Sequence, residues 1–316
     1  MTNAKYRLVT RSDFDGLVCG MLLRELDLID EIKFVHPKDM QDRTVPITAR
    51  DIITNLPYVP GCHLAFDHHS SEVMRFSGQS LANYVIDATA PSAARLVYNH
   101  FGGALAFPRV RPDLMDAVDK ADSASFSRNE ILEPTNWVLL NFLMDSRTGL
   151  GRFRDFRISN YDLMLQLIEK CRDHTIDQIL AMPDVSERVD LFQAHHTAFV
   201  AQLHRCTSIV GRLAILDLRG EDVIYAGNRF MIYALFPQCD ISVHVLWGVR
   251  RENTVFAIGK SVLDRTSPAD VGALCLRYGG GGHEAAGTCQ VPNDQAERVL
   301  IELIPLLSPE PVSRAA

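Results

Sequence analysis

The stretch Phe66-Asp67-His68-His69 decides how this chain is read. It closes a short apolar run, residues 62–66, on a carboxylate and two imidazoles, side chains that bind divalent metal or steer its ligands. An apolar run of that length ending in polar groups predicts a buried strand that delivers its last residues into a site. A second histidine pair, His195-His196, has no carboxylate beside it and sits in a stretch of helical spacing, so a linker helix is its expected place. Upstream, Leu8-Val9-Thr10-Arg11-Ser12-Asp13-Phe14-Asp15-Gly16 repeats the pattern of an apolar strand running into carboxylates, and downstream four glycines, 279–282, precede His283.

Around these points the first half alternates short apolar runs (6–10, 32–35, 63–66, 84–86) with helical spacing at 17–28 and 90–101, the latter with Pro91 in its first turn. That alternation predicts an α/β fold on a parallel sheet, whose ligands gather where the strands end. Asp13, Asp15, Asp67, His68 and His69 all fall at such ends. Residues 108–205 read as mostly helical, with long amphipathic stretches at 161–180 and 189–204. Strands resume at 209–218, 223–225, 241–248 and 255–259, with helices at 229–235 and 268–278, which predicts a second, smaller α/β domain. The expected division is an N-terminal α/β domain at 1–185, a linker helix at 186–205 and a smaller α/β domain at 206–316.

Length and composition agree with this. A chain of 316 residues exceeds the usual size of one domain, and 47% hydrophobic with 22% charged residues is an ordinary globular balance. No apolar run approaches the roughly 20 residues that span a bilayer, and Met1-Thr2-Asn3-Ala4-Lys5 lacks the core of a secretory signal, so a cytoplasmic location with no membrane contact is expected. The seven cysteines form no Cys-x-x-Cys pair and read as buried thiols; Cys19, just after the first motif, has nothing nearby to make it a nucleophile. A net charge of -7 argues against coating duplex DNA, which takes many Lys and Arg contacts to phosphate, but allows a small anionic substrate held by metal and a few arginines.

Asp13-Phe14-Asp15-Gly16, Asp67-His68-His69 and Gly280-Gly281-Gly282-His283-Glu284-Ala285-Ala286-Gly287, in that order, resemble the signatures of the DHH phosphoesterase superfamily with its DHH-associated C-terminal domain. The resemblance covers nearly the whole chain. It implies a hydrolase of phosphate esters that depends on manganese or magnesium, with up to two ions per chain activating water and neutralising phosphoryl charge. Relatives include RecJ-type exonucleases, oligoribonucleases, cyclic-dinucleotide phosphodiesterases and exopolyphosphatase-related proteins. Short single-stranded oligonucleotides or linear dinucleotides, attacked from an end, are the expected substrates. Polyphosphate and nucleoside bisphosphates share the reacting group, and a nucleotide-binding sensor with little turnover is the non-enzymatic alternative. A homodimer is compatible with the reading.

The resemblance also assigns roles. Asp13, Asp15, His68 and His69 form the catalytic set, with Asp13, Asp15, Asp51, His68 and Asp122 as metal ligands, His69 facing phosphate and Asp67 fixing a ring. Asp116, Asp119 and Asp122 recur every three residues, but Asp122-Ser123-Ala124-Ser125-Phe126 resembles a family segment that supplies a ligand, which favours Asp122 over Asp119. In the second domain Arg265 is the implied phosphate clamp, with Arg229 a weaker second, and Gly280, Gly281, Gly282 and His283 form an anion cradle. Two departures stand out. Val9 and Arg11 occupy positions where relatives carry a histidine or an aspartate, leaving one metal site short of a ligand. The carboxylate expected between the first motif and Asp67 is Asp51 by proximity, unless residues 51–55 are themselves the strand, in which case Asn55 takes that place.

Overall fold

The computed structural model describes residues 5–76, 81–153 and 155–308. Five strands, β1 (Tyr6–Thr10), β2 (Ile29–Phe34), β3 (Asp51–Thr54), β4 (Leu64–Asp67) and β5 (Tyr84–Ile86), form a parallel sheet in the order β2-β1-β3-β4-β5. Leu8 and Val9 are neighbours with side chains on opposite faces, yet both are fully buried, as are Ile52 and Ile53, so the sheet is covered on both sides. Thr10, Thr54 and Phe66 lie in register across β1, β3 and β4, so the segments after these strands emerge side by side. In this order the succession of strands switches direction between β1 and β3, the position at which open α/β sheets bind ligands.

The helix after β1, Phe14–Glu25, begins three residues earlier than the apolar spacing predicts, because Asp13 caps it and accepts from the Gly16 amide at 3.0 Å. Gly16 is required there: a Cβ would stand 2.0 Å from the Arg11 carbonyl oxygen. Ser92 caps the helix Ala93–His100, which leaves Pro91 outside rather than in its first turn. The predicted 161–180 helix is two, Asn160–Asp173 and Ile176–Leu180, because Thr175 and Gln178 form a capping box that restarts it.

A second sheet follows: β6 (Thr207–Val210), β7 (Leu213–Asp217), β8 (Ile241–Trp247), β9 (Thr254–Lys260), β10 (Gly281–His283) and β11 (Ala286–Val291), in the order β10-β11-β9-β8-β7-β6. Only β7 and β8 run parallel. Ile241, Val243 and Val245 alternate into a core shared with Val299, Leu303 and Leu307, spaced four apart on the helix Ala296–Leu307. The run 209–218 is a hairpin broken at Gly211, whose φ is 59°. Residues 223–225 are not a strand. The Gln202 side chain takes their backbone groups instead, donating to the Val223 carbonyl at 2.7 Å and accepting from the Tyr225 amide at 3.2 Å.

The chain divides into two units, the described residues of Met1–Ser125 with Pro134–Phe192, and those of Phe126–Glu133 with Gln193–Ala316; the division falls within the helix Pro183–Cys206. No helix among the described residues is long and apolar enough to cross a membrane.

Candidate active site

At the carboxyl edge of the parallel sheet five elements meet around a cluster of acidic and imidazole groups. Asp15, in the first turn of Phe14–Glu25, is buried, and its two oxygens accept from the backbone amides of Ala93 (3.0 Å) and Ala94 (2.8 Å) at the start of Ala93–His100. Asp13, two residues before it, meets the end of β3: Asn55 Nδ2 donates to both its oxygens, at 3.1 and 3.3 Å, and Arg11 Nε lies 3.0 Å from Oδ2. Asn55 is buried and holds a φ of 54°, a left-handed conformation that asparagine tolerates better than most residues.

β4 delivers the histidines. Buried Asp67 accepts through Oδ1 from the backbone amides of His68 (2.7 Å) and His69 (3.1 Å) and from His69 Nδ1 (2.6 Å), which fixes the turn and one ring together. His68 Nδ1 lies 3.2 Å from the Ala90 carbonyl oxygen, a partner that can only accept, so Nδ1 carries the proton and Nε2 presents a lone pair when the ring is neutral. Nε2 lies 2.7 Å from Asp122 Oδ2, at the end of the helix Pro112–Asp122, but the approach lacks the geometry of a directed hydrogen bond and leaves Nε2 buried without one. Asp15, His68 and Asp122 each offer one ligand atom, all within 4.8 Å of one another. One imidazole and two carboxylates, with a buried ring nitrogen among them that makes no directed hydrogen bond, form a donor set that fits a divalent cation.

The ionisable groups here shift one another strongly. Burial raises the Asp15 carboxyl to about 8, with Asp122 adding to the shift and His68 opposing it. Asp13 is also raised, by burial above all, although Arg11 pulls it down. Burial draws His68 down, but the attraction of Asp122 outweighs it and the ring is pushed up to about 9. For His69 the Asp67 carboxylate likewise overcomes burial and raises the ring. Burial pushes Asp122 up, and His68 more than reverses it, so this carboxyl ends below its ordinary value. Asp15 and His68 therefore hold protons that a bound dication would displace.

No protein-family profile and no curated protein matches the chain. Among solved structures, PggH from Vibrio cholerae, a pGpG-specific phosphodiesterase, is 57% identical over 95% of this chain and 98% of its own, with a TM-score of 0.82. The chain belongs to the DHH phosphoesterase superfamily. CDC45 from Entamoeba histolytica matches 96% of this chain and 95% of its own at 7% identity and a TM-score of 0.50, a likeness of fold.

For a DHH phosphoesterase, one expected ligand is misplaced. Asp51 begins β3, at the amino edge of the sheet, where Arg7 donates to its two oxygens at 2.6 and 3.0 Å and Thr48 N to one of them at 2.6 Å. It is a structural partner of Arg7, and Asn55 stands at the strand end where the ligand was expected. Asp119 accepts from Ser92 and Arg95, whereas Asp122 reaches His68. Cys19 is fully buried, which pushes its thiol far from a nucleophile's range. His195 sits on the long helix and accepts from the Ala226 amide at 3.1 Å.

In the second unit Gly281 and Gly282 belong to β10, on the sheet edge, with His283 exposed beside them. Much of the glycine requirement is steric: a Cβ on Gly280 would stand 2.1 Å from the Thr288 carbonyl oxygen, and one on Gly282 2.3 Å from that of Ala286. A Cβ on Gly281 would meet open space. Arg265 is exposed on the turn after β9, and Arg229 stacks over Phe230 at 4.3 Å. Sequence patterns did not single out the Ala93 and Ala94 amides or the Ala90 carbonyl. Their only trace was Ser92, a capping residue after Pro91.

Proposed function

We propose that this DHH phosphoesterase is a divalent-cation-dependent phosphodiesterase that hydrolyses linear dinucleotides such as pGpG, together with short oligonucleotides. The 57% identity to a pGpG-specific phosphodiesterase along almost the whole of both chains carries the reading. The Asp15, His68 and Asp122 cluster supports it, since a phosphodiester gains most from concentrated positive charge and these residues are suited to hold a manganese or magnesium ion. When bound, that ion supplies Lewis-acid stabilisation of phosphoryl oxygens and acidifies a water.

The remaining work belongs to the chain itself. Hydrolysis adds water across the P–O bond, so one group must take a proton from the water and another must protonate the leaving oxygen. His69 suits the second role, because Asp67 holds its Nδ1, raises the ring's proton affinity and leaves Nε2 for an oxygen of the substrate. Asp13, a carboxylate whose proton affinity is raised by burial, takes the first role once an incoming water displaces the Asn55 donor from it. We assign the grip on the substrate's end to Arg265, Gly280, Gly281, Gly282 and His283 of the second unit.

A hydrolysis panel in manganese tests the reading, with pGpG, a cyclic dinucleotide, a nucleoside bisphosphate and polyphosphate as substrates. The expected result is fastest turnover of pGpG. Faster cleavage of polyphosphate or the bisphosphate, or no cleavage at all, overturns it.

A further inference from the structure

The residues around Asp13 do not fit a second ion. Asp13 Oδ1 accepts from Gly16 N and Asn55 Nδ2, at 3.0 and 3.1 Å, while Oδ2 meets Asn55 Nδ2 and Arg11 Nε, at 3.3 and 3.0 Å. Every neighbour that contacts this carboxylate is thus a donor. With Nδ2 turned to the two carboxylate oxygens, Asn55 Oδ1 is left buried without a hydrogen-bond partner, while the opposite orientation would set Oδ1 against those oxygens. At the end of β3 stands that neutral amide, where the family resemblance leads one to expect a carboxylate. Val9, in the position of an expected histidine, is fully buried among apolar neighbours of the sheet. Asp13 is also absent from the group whose ligand atoms converge.

We propose that this chain binds one dication per molecule, at Asp15, His68 and Asp122, and that the Arg11 guanidinium, salt-bridged to Asp13, replaces a second ion as the fixed positive charge beside the substrate phosphate. The inference rests on the cation-dependent reading above and narrows it. A guanidinium is always charged, needs no loading, and keeps its Nη fork as a match for phosphate when Nε faces a carboxylate. Asn55 completes the device. An aspartate there would place two carboxylates in contact, and that pair would require a further cation.

Manganese titration of the metal-stripped full chain, followed by electron paramagnetic resonance, tests this without any turnover. One ion per chain with the spectrum of an isolated manganese is expected. Two ions, or the spectrum of an exchange-coupled pair, overturn the inference while leaving the cation-dependent reading intact; no bound ion overturns both. The double variant Arg11→Ala, Asn55→Asp should bind a second ion at its restored carboxylate pair. If that variant keeps the wild-type circular dichroism spectrum and still binds a single ion, Arg11 and Asn55 are not what excludes the second. Should it fail to fold, the wild-type stoichiometry and spectrum decide alone.

Discussion

The two ends of strand β3 carry polar groups of opposite design. At the amino end Asp51 is matched by Arg7 and Thr48, and although burial works against it, their hydrogen bonds leave its carboxyl below the ordinary range. At the carboxyl end Asp13, Asp15 and Asp122 crowd together, burial raises Asp13 and Asp15, and His68 Nε2 is buried without a directed hydrogen bond. At one end each polar group has a matching partner, while at the other buried carboxyls are held above their ordinary range around an imidazole nitrogen that makes no directed hydrogen bond. Acidity by itself therefore does not mark a site, but buried carboxyls raised in this way do.

The sharpest way to break this contrast is to delete a ligand. His68→Ala and Asp122→Asn should each reduce pGpG hydrolysis to background with an unchanged circular dichroism spectrum; normal turnover in either would remove the cluster from the mechanism. Asp67→Asn acts through the histidines it orients and should lower activity or manganese affinity by about 10- to 100-fold, as loss of such supporting groups does elsewhere.

Proton linkage gives a further test. Asp15 is raised to about 8 and His68 to about 9, so both hold protons near neutrality that a cation has to displace. Manganese affinity should rise with pH and level off above about 9, with protons released on binding. Both groups keep their protons to higher pH in the folded state than in the unfolded chain. Their stabilisation of the metal-free fold is therefore greatest at low pH and is lost as pH rises through the folded values. The thermal shift produced by manganese should accordingly grow toward alkaline pH, and a flat profile would contradict the assignment of charge. At the other end of β3, Arg7→Met should cost about 1–3 kcal/mol of stability, the loss of charged hydrogen bonds to a buried carboxylate, while leaving turnover per folded molecule intact. Denaturant unfolding beside an activity assay checks this.

Much of this contrast was legible in the sequence, and what escaped did so for identifiable reasons. Strands at 6–10 and 84–86 coincide with β1 and β5 because apolar runs bounded by polar groups locate buried strands well. The choice between Asp51 and Asn55 stayed open because Ile52-Ile53 is flanked by polar residues on both sides, and only the register with Thr10 and Phe66 shows which of them closes the strand. Asp119 and Asp122 lie three apart on one helix face, so their separation into an Arg95 partner and a His68 partner is a tertiary fact. The segment 223–225 has strand composition, yet Gln202, far away in sequence, captures its backbone. The glycines of 279–282 suggested a cradle, while contacts with β11 supply a packing reason for two of them.

The proposed cation site lies at the carboxyl edge of the sheet and not at its amino edge. Isothermal titration of manganese into metal-stripped His68→Ala and Asp51→Asn proteins tests it most directly. His68→Ala should lose binding, while Asp51→Asn, although less stable, should bind as the wild type does. Binding lost in Asp51→Asn and retained in His68→Ala would contradict it.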